Sequence, residues 1–214
     1  MNSTHAVFVE LSPHVDIYNT RKYPFIMVGQ MLNATRIISI PLDDFVRFSK
    51  RIGDPCCSTS WMFHTSRCGS TLVAQGLNVL PGYTVISETQ SLLIHLDSIG
   101  RTSRMDYNSY LKSSRCSDIL SAAIIYLLKD FKKGDKVFIK TPGLLHYCIM
   151  AVIAKRFPYH KFISLHRDGA ATLDSFWRVA MQNELIVRVA SPFPMLVSLA
   201  LKPMLFMMTN CFQN

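Results

Sequence analysis

From Trp61 onward, short runs of hydrophobic residues alternate with longer segments in which apolar positions recur at helical spacing. Residues 60–65 form a β-rich run, closed by the polar turn Ser66-Arg67-Cys68-Gly69. Leu72, Val73, Leu77 and Leu80 then predict a helix from Ser70 to a stop at Pro81-Gly82. Residues 83–87 predict a second strand ending at Glu88, and residues 91–98 a helix. The polar stretch 100–117 predicts a loop, or a loop with a short helix, after which Asp118 stands as N-cap of a strong helix over 119–131. Residues 136–139 predict a third strand, ending in Lys140-Thr141-Pro142-Gly143, and residues 144–157 a helix stopped by Pro158. A fourth strand over 161–166 ends at Arg167, and a last helix begins near Ala170. Such alternation predicts an α/β fold, a three-layer α/β/α arrangement around a mostly parallel central sheet. Upstream, residues 6–11 and 37–45 predict strands or a lid.

Polar or charged residues follow each predicted strand: Ser66-Arg67, Glu88, Lys140 and Arg167. Open parallel sheets bind ligands beyond the carboxyl ends of their strands, so one edge is expected to collect all four. The turn before Ser70 sits between a strand and a helix. Its backbone N–H groups and the helix N-terminus favour an anion, Arg67 adds a full charge, and Ser70 and Thr71 add hydroxyls. It is not a Walker A loop, which requires Lys where Ser70 follows Gly69. The plainer alternative is an ordinary strand-turn-helix with one glycine in the turn.

Ser66-Arg67-Cys68-Gly69-Ser70-Thr71 resembles the 5′-phosphosulfate loop of the sulfotransferases. Residues 162–175 resemble that family's 3′-phosphate motif, in which a strand ends in Arg and a Ser follows eight residues later; Arg167 and Ser175 have that spacing. The resemblance implies a P-loop NTPase-like fold. It implies 3′-phosphoadenosine 5′-phosphosulfate (PAPS) as cosubstrate, no metal, and a hydroxyl or amine acceptor. Under it, Ser66, Arg67, Cys68, Gly69, Ser70 and Thr71 hold the 5′-phosphosulfate, while Arg167 and Ser175 hold the 3′-phosphate. Glu88 is the expected general base, Lys140 the expected charge at the leaving oxygen, and Arg67 joins them in catalysis. His64 and His166 rank behind Glu88, with His146 as the reserve base. Phe176 and Trp177 are expected to pack the last helix.

The chain departs from the family at Gly169, where proline is usual, and in lacking the basic closing loop after Arg178. It therefore reads as a C-terminally shortened member with three parts. These are a segment 1–55 of open structure, a nucleotide-binding core 56–184, and a hydrophobic tail 185–214. A different class of protein is also compatible: a non-catalytic nucleotide-binding or protein-interaction relative that kept the core and lost the closing loop.

Composition narrows these choices. An apolar fraction of 49% with mean hydropathy +0.20 excludes a disordered chain. Charged residues are only 17% of the 214, yet 23 Lys and Arg outnumber 14 Asp and Glu to leave +9, which favours an anionic partner. The basic residues are dispersed and do not alternate with aromatics, which argues against nucleic acid. Six cysteines without a CxxC pair predict buried free thiols. No signal peptide is evident, and the charge-free part of the tail, residues 189–201, is too short to span a membrane. The expectation is a cytoplasmic protein whose tail packs on the core or on a protein partner.

Overall fold

The computed structural model describes residues 4–92, 114–142 and 147–182. In chain order the elements are β1 (His5–Leu11), α1 (Ile26–Asn33), β2 (Ala34–Pro41), α2 (Leu42–Ile52), β3 (Ser58–His64), α3 (Ser70–Asn78) and β4 (Tyr83–Ser87). A 3₁₀ turn (Gln90–Leu92), α4 (Ser114–Leu128), β5 (Lys136–Lys140), α5 (Tyr147–Arg156), β6 (Lys161–Leu165) and α6 (Gly169–Gln182) complete them. Two compact units divide the chain: Met1–Thr65 with Gly69–Leu165, and Ser66–Cys68 with His166–Asn214.

In the first unit, four strands pair in parallel in the order β4-β5-β3-β6. Strands covered on both faces need apolar residues at consecutive positions, and the two inner strands supply them. Trp61, Met62 and Phe63 of β3 and Val137, Phe138 and Ile139 of β5 are all buried. Successive side chains point to opposite faces, so these runs feed two layers. Trp61, Phe63, Ile86 and Ile139 meet Leu120, Ile124 and Leu128 of α4 and Ile149 and Ile153 of α5. Met62, Val85 and Phe138 meet Ala74 and Leu77 of α3 on the other face. The expected α/β architecture with helices flanking a parallel sheet is thus present.

Register fixes what stands at the strand exits. Met62 and Ser87 both lie opposite Lys140. Beyond the strands, the Thr141 N–H donates to Met62 O at 3.1 Å and the Glu88 N–H to Lys140 O at 2.9 Å.

The N-terminal 55 residues belong to the same unit. β1 and β2 pair antiparallel, with Ala6 opposite Ile40 and Phe8 opposite Ile38. Ala6, Phe8 and Ile40 pack with Phe45 of α2 and with Ala122, Ala123 and Tyr126 of α4. Phe45 stacks on Tyr126 with ring centroids 4.7 Å apart, and Phe8 meets Tyr126 edge-on at 5.1 Å. Residues 37–45 are not one strand: β2 stops at Pro41, which lacks an N–H. Asp43 and Asp44 then open α2 while Lys50 and Arg51 close it, matching the helix dipole.

Other boundaries also moved. Asp118 is not an N-cap, because α4 already begins at Ser114; Ser121 Oγ donates to Ser117 O at 2.7 Å within it. Cys56, Cys57, Cys68 and Cys116 form no disulfide, as expected, but of the four only Cys57 is buried, and Cys56 is exposed. The helix expected over 91–98 and that expected over 144–157 are described only at Ser91 and Leu92 and from Tyr147 onward, and the tail 185–214 lies outside the described residues. Among the described residues no helix is long and apolar enough to cross a membrane.

In the second unit, α6 is capped by Asp168, whose Oδ1 accepts the Ala171 N–H at 2.9 Å. Trp177 is not a packing residue as expected: its surface is 60% exposed.

Candidate functional site

Within the first unit, the chemistry gathers where β4 and β5 end beside the start of α3. Lys140 is the last residue of β5 and is 1% exposed. Its Nζ donates to Glu88 Oε1, an ion pair and hydrogen bond at once, and to Thr71 Oγ1 at 3.3 Å. Phe25 covers another side, its ring centroid 5.0 Å from Nζ. A buried ammonium needs such company, because desolvation disfavours it unless opposite charge and acceptors replace water.

Glu88 reaches this position through an unusual backbone. Its φ of 52° lies in the left-handed region, rare for a residue with a long side chain. That turn at the end of β4 brings the carboxylate to Lys140, leaving the Glu88 side chain 26% exposed. The adjacent Ser87 Oγ donates to Pro24 O at 2.6 Å, which anchors the segment carrying Phe25.

Gly69 is the N-cap residue of α3, its φ of 88° suits glycine, and no side chain caps the helix. Val73 N–H to Gly69 O, at 3.2 Å, is an early helical bond. The amides of Ser70, Thr71 and Leu72 have no partner in the helix, and such an end favours anions. Ser70 itself is 5% exposed, so its side chain packs inward.

His64 ends β3 and is buried. Its Nε2 lies 2.8 Å from Thr141 O and its Nδ1 3.2 Å from Thr65 O. Burial pushes the imidazole below its ordinary value, and nearby Lys140 acts in the same direction; the two carbonyls and Glu88 push back. A neutral imidazole carries one N–H and so donates to only one of these two carbonyls; His64 sits between the exits of β3 and β5 with both nitrogens facing backbone oxygens.

The second unit holds a separate cluster. Arg67, with φ of 63°, donates from Nε to Ser175 Oγ at 3.0 Å. Arg167 Nη1 donates to Arg67 O at 2.9 Å. Arg67 thus links the other two, its guanidinium meeting Ser175 of α6 and its backbone carbonyl accepting from Arg167, and among the described residues neither arginine pairs with a carboxylate. Asp168 caps its helix and Asp174 pairs with Arg178 at 2.8 Å, which keeps both acids occupied.

The structure thus joins Glu88, Lys140 and Thr71 in one group, and Arg67, Arg167 and Ser175 in another. Ser66 and Cys68 flank Arg67 in the second unit, while Gly69, Ser70 and Thr71 start α3 in the first. His166 begins the second unit's C-terminal stretch, and His146 lies outside the described residues. Phe25 was missed from sequence because nothing local marks an aromatic residue in an irregular segment as the cover of a lysine on a distant strand. No family model, curated protein or solved structure matches this chain.

Proposed function

We propose that the chain is a sulfotransferase, on a P-loop-like version of the parallel α/β fold, that moves a sulfuryl group from PAPS to a hydroxyl or amine. The observation that carries this reading is the hydrogen-bonded set Arg167–Arg67–Ser175, in which neither arginine has a carboxylate partner among the described residues. Cations without a carboxylate partner suit a polyanion, which accepts charge-assisted hydrogen bonds from them. The spacing of Arg167 and Ser175 supports a 3′-phosphate as their ligand, and the uncapped start of α3 supports a 5′-phosphosulfate there.

In the transfer, the acceptor oxygen or nitrogen bonds to sulfur as the bond from sulfur to the bridging oxygen breaks, leaving its electron pair on the 5′-phosphate. Lys140 stabilises that developing charge, and Glu88 takes the acceptor's proton. Catalysis by these residues is positioning and electrostatics, as in phosphoryl transfer.

Calorimetric titration with adenosine 3′,5′-bisphosphate and with adenosine 5′-monophosphate tests the reading. Charge-assisted hydrogen bonds contribute ~1.5–3 kcal/mol each, so the bisphosphate should bind at least ~10-fold more tightly. Equal affinity for the two nucleotides contradicts a dedicated 3′-phosphate site.

A further inference from the structure

Lys140 has no open face. With 1% of its surface exposed, its ammonium is enclosed among the described residues by Glu88, Thr71 and Phe25, so that an anion reaching it would take the place of one of these contacts. Thr71 is held in the first turn of α3, and Phe25 is tied down beside the Pro24 carbonyl that accepts from Ser87. Glu88 is the replaceable group: it is partly exposed and its backbone sits in the left-handed region. Such strain persists where surrounding contacts hold it; among the described residues the Glu88 N–H donates to Lys140 O, and the carboxylate is held by the Lys140 ammonium.

We propose that the Glu88 carboxylate is an internal stand-in for the ligand's phosphate, competing with it for Lys140, so that ligand binding takes the ammonium and releases Glu88. Thr71 connects the two states. Its Oγ1 accepts from Lys140, which leaves its hydroxyl proton to donate to another acceptor, such as an anion at the open amides of α3. The inference rests on the nucleotide reading above and adds a sequence of events: the carboxylate becomes available to take a proton only once the donor is in place. An enzyme arranged in this way leaves its base neutralised while the cosubstrate is absent.

The competition is measurable as binding, without turnover. Adenosine 3′,5′-bisphosphate is titrated into wild type, Glu88→Gln, Lys140→Gln and the double variant. Removing the competitor should tighten binding about tenfold, the gain expected if roughly one wild-type molecule in ten holds Lys140 free. In the Lys140→Gln background the same change should give no gain, including the case in which neither of those two proteins binds measurably. Glu88→Asn, whose side chain tolerates left-handed backbone, serves if Glu88→Gln does not fold. Unchanged or weaker binding by the folded Glu88 variant overturns the competition, as does an equal gain without Lys140. Absence of binding by wild type and every variant overturns the nucleotide reading, and this inference with it.

Discussion

His160 is 6% exposed, accepts the Trp61 indole N–H on Nδ1 at 3.0 Å, and lies stacked on Phe157 with centroids 5.0 Å apart. A nitrogen that accepts this bond must be unprotonated, and burial pushes the ring down from 6.5 to about 4. Because the folded value lies below the unfolded one, the unfolded chain binds the proton first as pH falls. The stabilisation is complete above about 6.5 and declines progressively toward about pH 4, by which point ~3 kcal/mol of it has been lost. Urea denaturation between pH 7.5 and 4.5 should show this loss in wild type and a shallower slope in His160→Gln. Equal slopes would contradict a neutral, desolvated His160. Trp61 and His160 stand far apart in sequence, so neither residue's context discloses the bond. His64 was visible as a histidine at a strand end, but its two carbonyl partners depend on how β3 and β5 align.

α1 depends on a glycine for close approach. A Cβ at Gly29 would lie 2.5 Å from Ile17 Cδ1 and 2.9 Å from Tyr23 Cγ, whereas one at Gly76 in α3 would meet nothing within 4 Å. Gly29→Ala should therefore cost ~1–3 kcal/mol by overpacking and disturb the segment that carries Phe25. Gly76→Ala should stabilise by ~0.5–1 kcal/mol through helix propensity alone. Thermal unfolding of both variants checks the opposite signs. The elements that were legible have their determinants nearby: β4 matches its predicted bounds because Pro81-Gly82 and Glu88 bracket a β-rich run. The start of α4 was hidden, since Ser114, Arg115 and Ser117 look like loop residues until they join a helix. β1 and β2 were hardest to read, because their pairing spans a loop and α1, and the stacking of Phe45 on Tyr126 joins distant parts of the chain.

Across the chain a charge of +9 attracts any anion, so weak binding of a phosphate compound carries little information by itself. Such general attraction falls with salt and does not depend on which oxygen of a nucleotide bears the phosphate. A 3′-phosphate site at the Arg67–Arg167–Ser175 cluster, as proposed, would distinguish position. The strand-end residues of the candidate site were legible because a parallel sheet gathers its polar exits along one edge, and Glu88 and Lys140 do meet there. Their mutual neutralisation was not legible, since it requires the left-handed turn at Glu88 and the burial of Lys140. The most direct measurement is titration of adenosine 3′,5′-bisphosphate and adenosine 5′-monophosphate, at one fixed salt concentration, into wild type and Arg167→Ala. A 3′-phosphate held by Arg167 predicts that the variant loses at least ~10-fold in affinity for the bisphosphate and little for the monophosphate. An equal loss for both nucleotides, or none for either, would contradict it.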